Sequence, residues 1–388
     1  MATTIVSGVQ YSGIWTMQQV NAAVAAGTWT GLPTYPLFSW GGNTSGQLGL
    51  GNVTNYSSPK QIGALITWSQ LATGDSRSHA LAVKTDGTLW AWGDNTSGQL
   101  GDGTAVNKSS PVQIGALTNW VSTACGNSHS LAVKTDGTLW SWGLNSLGQL
   151  GLGNTTNYSS PKQVGGLTAW SKVAGGASHT LAVKTDGTLW SWGRNNNGAL
   201  GLSNTYNYSS PKQVGALTTW LNVSGGGYHS IVIQTNGTVW GMGVNTFGQL
   251  GLGTTASYSS PTQVGALTNW LRITTAYSQT FAIKTDNTLW SWGRSNVGQL
   301  GLGNTTSYSS PKQVGAGSWS KISAGRFHTI GVTTTGNLWS WGTGGDGQLG
   351  LGNATNYSSP KQVGSLAVWG EISAGRIFTL GIPVIPSS

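Results

Sequence analysis

The sequence predicts an all-β protein, a seven-bladed β-propeller of four-stranded antiparallel blades. Three observations predict it. The phrase LAVKTDGTLWSWG occupies residues 131–143 and returns unchanged at residues 181–193. The repeated units follow one another at intervals of 49–52 residues, and each element of the unit occurs seven times. A repeat of this length made of short strands is typical of propellers, which protect strand edges by radial repetition.

One repeat unit contains four short apolar stretches separated by turn residues. In the unit that begins at Trp120 they run from Trp120 towards Gly126, over 130–134, over 138–143 and from Pro161 onwards. Asp136-Gly137 separates the second stretch from the third, and this dipeptide favours a type I′ hairpin turn, in which both residues have positive φ. No stretch has helical periodicity. The unit therefore predicts four antiparallel strands.

The two ends of the repeat array are incomplete. The first element, LFSWG at residues 37–41, has no hairpin partner before it, and the last, FTLGI at residues 378–382, has no strand after it. Each end thus holds half of one hairpin. We expect the N-terminal and C-terminal strands to pair, so that one blade is built from both ends and the ring has no open edge.

These repeated residues carry a family resemblance. Residues 126–153, GNSHSLAVKTDGTLWSWGLNSLGQLGLG, resemble the regulator of chromosome condensation repeat, and the resemblance extends over residues 37–382. It implies a seven-bladed propeller. It implies little about function, because propellers of that family serve many unrelated partners.

A short helix is predicted ahead of the repeats, at about residues 17–26. Thr16 is a suitable N-cap. Met17, Val20 and Val24 form an apolar stripe at helical spacing. A helix of this length needs a surface to pack on. It either packs on its own propeller or acts as a docking peptide for another chain.

The chain divides at the start of the repeats. Residues 1–36 contain no charged residue and form an N-terminal segment, and residues 37–388 form the propeller. Within the first segment, YSGIWTMQQVNAAVAAGTW also resembles a stretch near the ends of structural proteins of marine tailed phages.

Composition argues against several classes of function. Charged residues make up 7% of the chain, against about 25% in ordinary domains. The net charge of +9 comes from a shortage of acidic residues rather than from basic runs, which predicts no nucleic-acid partner. No stretch is long and apolar enough to span a bilayer, and the start MATTIVSGVQ lacks the features of a secretory signal. We expect a protein made in a host cytoplasm, without membrane insertion.

No set of residues meets the requirements of a catalytic, cofactor or metal site. The acidic residues are scattered, and the glycine-rich GQLGLGN stretch is not followed by a helix, as a phosphate loop would be. The histidines occupy one position of successive repeats, so they lie around a ring rather than on one ion, and we expect them to form structural hydrogen bonds. They are His79, His129, His179, His229 and His328. The sequence predicts a protein that is not an enzyme.

The tryptophans recur at fixed positions of the units. Large aromatic side chains dominate burial, so we expect them to pack between blades. A ring of sugar-binding pockets is the alternative, and it requires that the tryptophan rings be exposed.

The repeats differ most in two turns, the one before the histidine position and the one after the Trp-Gly pair. Arginine and aromatic side chains occupy several of these turns, and such residues are common anchors of interfaces. Neutral drift at exposed turns is the alternative for any single position. The candidate interaction residues are Arg77, Arg194, Tyr228, Phe247, Arg294, Arg326 and Phe327.

These features favour a non-catalytic structural or interaction protein. We expect a virion component of a tailed phage, such as a tail, fibre or capsid-associated protein. Its partners would be other virion proteins or a host-surface receptor, and association with copies of itself stays open.

Two alternatives come from other classes. The family resemblance implies guanine-nucleotide exchange or chromatin binding, as in the family's namesake. The even repeat spacing leaves no room for that protein's inserted wedge, and residues 1–36 lack its basic tail. A secreted binding or inhibitor module is the third possibility, and the missing signal argues against it.

Overall fold

The computed structural model describes residues 36–64, 67–75, 78–166, 168–365 and 368–383. All regular elements in these ranges are β-strands, as the sequence predicted. Within the same ranges no helix could serve as a membrane span. The predicted helix at about residues 17–26, with Met17, Val20 and Val24, lies outside the described residues.

Each blade contains four strands, which we call inner, second, third and outer in chain order. The inner strands begin at a tryptophan, apart from one that continues from a preceding outer strand. They are β3 (Trp68–Thr73), β7 (Trp120–Cys125), β11 (Trp170–Gly175), β15 (Trp220–Gly225), β19 (Trp270–Thr275), the end of β22 (Tyr308–Ala324) and β26 (Trp369–Ala374).

The second strands begin at the histidine position, because the turn before it ends there. They are β4 (His79–Lys84), β8 (His129–Lys134), β12 (His179–Lys184), β16 (His229–Gln234), β20 (Gln279–Lys284), β23 (His328–Thr333) and β27 (Phe378–Pro383).

The third strands contain the Trp-Gly pair, which is Met242-Gly243 in one blade, and end at its glycine. They are β1 (Phe38–Gly41), β5 (Leu89–Gly93), β9 (Leu139–Gly143), β13 (Leu189–Gly193), β17 (Val239–Gly243), β21 (Thr288–Gly293) and β24 (Leu338–Gly342).

The outer strands contain the proline stretch, as expected for positions at a sheet edge. They are β2 (Tyr56–Gln61), β6 (Lys108–Gln113), β10 (Tyr158–Gln163), β14 (Tyr208–Gln213), β18 (Tyr258–Gln263), the start of β22 and β25 (Tyr357–Gln362).

The strands of a blade pair antiparallel in the order inner, second, third, outer. In the blade that begins with β7, His129 lies opposite Gly143 and Val133 lies opposite Leu139. Strand β22 is long enough to belong to two blades, so its sheet has seven strands, β19 to β25. The repeated unit of the sequence is therefore the four-stranded unit of the structure.

The hairpin turn between second and third strands differs from the predicted type I′ turn. Gly137 has a φ of 75°, but Asp136 is not among the described residues with positive φ. The N–H of Gly137 donates to the carbonyl of Lys134, and the N–H of Lys134 donates to the carbonyl of Thr138. This is a three-residue loop, a type I turn followed by one left-handed residue. Only the glycine position requires positive φ.

The ends of the repeat array pair as the sequence predicted. Strand β1 lies antiparallel to β27, with Phe38 opposite Gly381 and Gly41 opposite Phe378. The order β2-β1-β27-β26 completes one four-stranded sheet from two distant parts of the chain.

The third-strand tryptophans form the core between neighbouring blades. Trp92 is fully buried, and its indole N–H donates to the carbonyl of Gln47 in the neighbouring blade, at 2.9 Å. The contact needs a glycine on the facing loop: a Cβ at Gly49 would lie 3.0 Å from Nε1 of Trp92. These rings serve the packing role that the sequence predicted.

A second set of tryptophan rings is half-buried, and lysines cover four of them, Trp90, Trp140, Trp190 and Trp290. The ammonium of Lys84 lies 3.6 Å from the centroid of the Trp90 ring, and the Trp68 ring meets Trp90 edge-on at 6.1 Å. The same arrangement recurs at Lys134 over Trp140. Because lysine occupies the face on which a sugar would stack, these four rings do not form open sugar-binding platforms.

Candidate functional site

The inner strands surround a cavity of about 270 Å³. Residues from every inner strand form its wall, mostly small or hydroxyl-bearing ones. Several hydroxyls pair with each other across neighbouring blades, as Thr73 does with Ser373 at 2.8 Å and Ser224 with Thr275 at 2.9 Å. Many polar groups of the wall therefore form hydrogen bonds with other residues of the wall.

The variable turns of the repeats converge on one face of the molecule, around the mouth of this cavity. Each second strand starts where its inner strand ends, and the start of each second strand lies opposite the end of the third strand, as His179 lies opposite Gly193. The turn before the histidine position and the loop after the Trp-Gly pair therefore lie side by side. The pairing of the second strand with the third is enough to place the variable residues of the turn beside those of the loop.

On this face, arginine and aromatic side chains from four blades form one continuous set. The Cζ of Arg194 lies 4.7 Å from the Tyr228 ring centroid, and the Tyr228 and Tyr277 rings meet edge-on at 5.6 Å. The hydroxyl of Tyr277 donates to that of Tyr228 at 3.2 Å. The Cζ of Arg326 lies 4.0 Å from the Tyr277 ring and 5.3 Å from the Phe327 ring. We call these five residues the arginine–aromatic surface.

A second arginine–aromatic pair lies in the loops that follow the third strands. The Cζ of Arg294 lies 4.9 Å from the ring centroid of Phe247, and Phe247 is 40% exposed. Cation–π contacts at exposed sites contribute about 0.5–1 kcal/mol each. They hold the guanidinium groups in place with their hydrogen-bond donors still available.

The structure brings together most of the candidate interaction residues that the sequence predicted. Those found in arginine–aromatic contacts are Arg194, Tyr228, Phe247, Arg294, Arg326 and Phe327. Arg77 lies outside the described residues. Sequence reasoning left Tyr277 out of the set, although it lies in the equivalent turn of the next repeat, one position earlier than Tyr228.

Asp75 was also missed, and it lies at the cavity with arginines from distant repeats beside it. The backbone N–H of Arg326 donates to its carboxylate, and the guanidinium groups of Arg326 and Arg376 are close enough to stabilise the negative charge. Burial outweighs these contacts and raises the pKa of Asp75 to about 6. The only sequence signal was the longer turn in this unit, at residues 75–77.

The histidines make the structural hydrogen bonds that the sequence predicted. The Nε2–H of His79 donates to the hydroxyl of Ser130 in the next blade, at 3.0 Å, and that hydroxyl donates onward to the carbonyl of Gln99. The same link joins His129 to Thr180 at 3.1 Å. Burial lowers the pKa of the histidines to about 3 or 4, so they are neutral at pH 7.

The described part of the chain offers no cluster of three or more His, Cys, Asp or Glu side chains that could hold a metal ion. Cys125 lies in the wall of the cavity between the inner strands, and burial raises the pKa of its thiol. A thiol that stays protonated at neutral pH is a poor nucleophile.

Comparison with known proteins places the fold in a family. Residues 36–381 match the family model of the RCC1-like domain. The chain is 40% identical over 98 residues to the human probable E3 ubiquitin-protein ligase HERC6, a match that covers 23% of this chain and 9% of HERC6.

Two solved structures are similar over nearly the whole fold. Human WBSCR16 has a TM-score of 0.81 and 20% identity, and the match covers 90% of this chain and 99% of WBSCR16. Prp20p from Saccharomyces cerevisiae has a TM-score of 0.79 and 20% identity, and the match covers 92% of each chain. At this identity the two structures show the fold alone.

Proposed function

This chain belongs to the RCC1-like domain family, and from that premise we propose that it is a non-catalytic interaction protein. It is a closed ring of seven blades that presents the arginine–aromatic surface to a protein partner. The observation that carries the proposal is the continuous contact from Arg194 through Tyr228 and Tyr277 to Arg326.

The contacts of the inner strands support a closed ring of seven blades. Neighbouring inner strands touch in chain order from β3 to β26, and β26 in turn touches β3. The pairing of β1 with β27 supplies the blade that joins the two ends. A closed ring leaves no inner sheet edge for other chains to pair with. Binding would then occur through loops on a rigid frame.

The composition of the surface supports a protein partner. Arginine and tyrosine are enriched among the residues that dominate binding energy at protein interfaces. Their side chains are ordered by mutual contact before a partner arrives, which reduces the entropy cost of binding. A related fold offers a precedent, since yeast Prp20 has been crystallised bound to Kap60.

We propose further that the chain is a virion component of a tailed phage, made in the host cytoplasm. Its partners would be other virion proteins or a host-surface receptor. Support comes from the low charge, from the uncharged residues 1–36 and from the phage-like segment within them. Mass spectrometry of purified particles tests this assignment. We expect the chain in stoichiometric amounts, and its absence from particles would exclude the virion role.

The role of the surface is tested by cosedimentation of the purified chain with those particles. We expect the double variant Arg194→Ala, Arg326→Ala to bind at least about tenfold more weakly, because it loses two charged anchors. Lys212→Ala, on the outer strand β14, is the matched control and should bind as the unchanged protein does. Equal binding by all three proteins would exclude this surface as the docking site.

Guanine-nucleotide exchange is the alternative that family membership favours, since Prp20p is described with binding properties to Gsp1p and histones. The evenly spaced units of this chain have no inserted wedge, which argues against it. Release of a fluorescent guanine nucleotide from a small GTPase separates the two functions. We expect no acceleration, and a clear acceleration would favour exchange.

A further inference from the structure

The loop after the third strand has one feature in common in six of the blades. A glutamine near its end folds back, and its Oε1 accepts a hydrogen bond from the backbone N–H two residues earlier, at 2.8–2.9 Å. The glutamines are Gln47, Gln99, Gln149, Gln249, Gln299 and Gln348.

The loop at residues 194–201 lacks this glutamine. Ala199 stands in its place, and no other described residue supplies an acceptor for the backbone N–H of Asn197. The missing side chain leaves a cavity of about 10 Å³. That volume holds about one water-sized atom.

The cavity lies next to the end of the arginine–aromatic surface. Its walls include Arg194, Tyr228, Asn197 and the buried ring of His179. Arg194 is held over the Tyr228 ring and makes no ion pair within the described residues. No carboxylate of the described chain lines the cavity. Arg194 and Asn197, whose N–H has no acceptor in the described chain, therefore line a space that fits one oxygen atom.

We propose that this cavity receives the carboxylate of a glutamate or aspartate side chain from a protein partner. One carboxylate oxygen takes the position that glutamine Oε1 holds in the other blades and accepts from the N–H of Asn197. Arg194 neutralises the charge through a charge-assisted hydrogen bond. The inference rests on the proposed function and names its partner chemistry: an acidic segment that lies along the surface towards Arg326.

The chemistry favours a carboxylate over a phosphate. The oxygen to be replaced belongs to a planar amide, and a carboxylate has the same planar shape, whereas a phosphate is tetrahedral. Recognition of nucleic acid also relies on many basic contacts to the backbone. This face instead combines a few arginines with aromatic rings.

The test measures binding of fluorescein-labelled hexaglutamate to the full chain by fluorescence anisotropy. Ala199→Gln is the central variant, because it fills the cavity with the residue that the fold accommodates in six equivalent loops. We expect Ala199→Gln and Arg194→Gln each to weaken binding at least about tenfold. Arg272→Gln, on the exposed start of β19, is the matched control and should bind as the unchanged protein does.

Each other outcome overturns the inference. Unchanged affinity of Ala199→Gln would show that the cavity takes no part, and an equal loss in Arg272→Gln would show only general attraction to positive charge. If single-stranded DNA binds more tightly than hexaglutamate and is equally sensitive to Ala199→Gln, the cavity serves a nucleic acid. Failure of hexaglutamate to bind removes the acidic partner, while particle cosedimentation still tests the proposed function separately.

Discussion

At the scale of single residues, the chemistry of this protein lies where one repeat departs from the others. Ala199 replaces a glutamine and leaves one backbone N–H without an acceptor, next to Arg194. Asp75 lies in a longer turn, and its carboxylate meets Arg326 at the cavity between the inner strands. Repeats that keep the common residue satisfy their own polar groups, so we expect binding at the repeats that depart from it.

Cys125 should be unreactive in the folded protein. Burial raises the pKa of its thiol, and the thiolate is the reactive form. We expect a chromogenic disulfide reagent to modify the native chain much more slowly than the chain unfolded in guanidinium. Equal rates in the two states would show that the thiol is accessible and ionised in the fold.

At the scale of elements, the hairpin between second and third strands is held by one repeated network. The carboxylate of Asp136 accepts from the N–H and the hydroxyl of Thr138, and the indole N–H of Trp140 donates to the same hydroxyl. These bonds to Thr138 lower the pKa of Asp136. The glycine that follows the aspartate takes the left-handed conformation that closes the loop.

Asn287 replaces that glycine in one hairpin and has a φ of 65°. Asparagine tolerates this conformation, whereas a residue such as alanine loses about 1–2 kcal/mol there. We expect Asn287→Ala to lower the free energy of unfolding by about 1 kcal/mol, measured by denaturant titration. Asn287→Gly is the control and should not destabilise the protein. A stable Asn287→Ala variant would contradict the left-handed assignment.

Packing between blades depends on the third-strand tryptophan more than on its half-buried neighbour. Trp142 is fully buried and donates to the carbonyl of Gln99 of the adjacent blade at 2.9 Å. We expect Trp142→Ala to lower the free energy of unfolding by about 3–5 kcal/mol. Trp140→Ala, on the same strand face, should cost clearly less. A larger loss in Trp140→Ala than in Trp142→Ala would show that the half-buried Trp140 ring contributes more to packing between blades.

At the scale of the whole molecule, blade-to-blade links run through buried neutral histidines. Each histidine donates to a hydroxyl of the next blade, as His229 does to Thr280 and His328 does to Thr379. Protonation would place a positive charge in a buried site, and of the five histidines only His79 has an acidic side chain of the described chain, Asp94, close enough to stabilise that charge. Packing between neighbouring blades is therefore coupled to pH.

The free energy of unfolding should fall as the pH drops below about 6.5. The unfolded chain binds protons at the ordinary histidine pKa of 6.5, while the folded chain binds them only near 3 to 4. Between these values the unfolded state holds more protons, so acid favours unfolding by up to about 1.4 kcal/mol per pH unit for each histidine. Asp75, with its pKa raised to about 6, opposes this as a single group.

Denaturant titrations between pH 7 and pH 4 measure this dependence. His179→Gln is the informative variant, because Gln279 occupies the equivalent position in another blade. We expect its free energy of unfolding to depend less steeply on pH than that of the unchanged protein. The difference in slope should equal the contribution of one histidine. An identical slope would show that His179 does not remain neutral in the fold.

Reading the amino-acid sequence was enough to predict the strands, their order within a blade and the pairing of the two half-hairpins. These features follow from local patterns, namely strand alternation, turn residues and a repeat that returns at a fixed interval. The same comparison of repeats predicted Arg194, Tyr228 and Arg326 as candidate interaction residues, and the structure brings all three into arginine–aromatic contacts. The turn type was predicted wrongly, because Asp-Gly suits two hairpin geometries and the register of the strands selects between them.

Which residues of different repeats come into contact could be learned only from the folded chain. Tyr228 and Tyr277 come from different repeats, and Asp75 and Arg326 come from opposite parts of the chain. Their contacts depend on how all the blades are placed around the axis, which no local pattern encodes. The cavity at Ala199 also depends on tertiary structure. The sequence shows that a glutamine is missing there, but only the fold places Arg194 and Tyr228 around the space that it leaves.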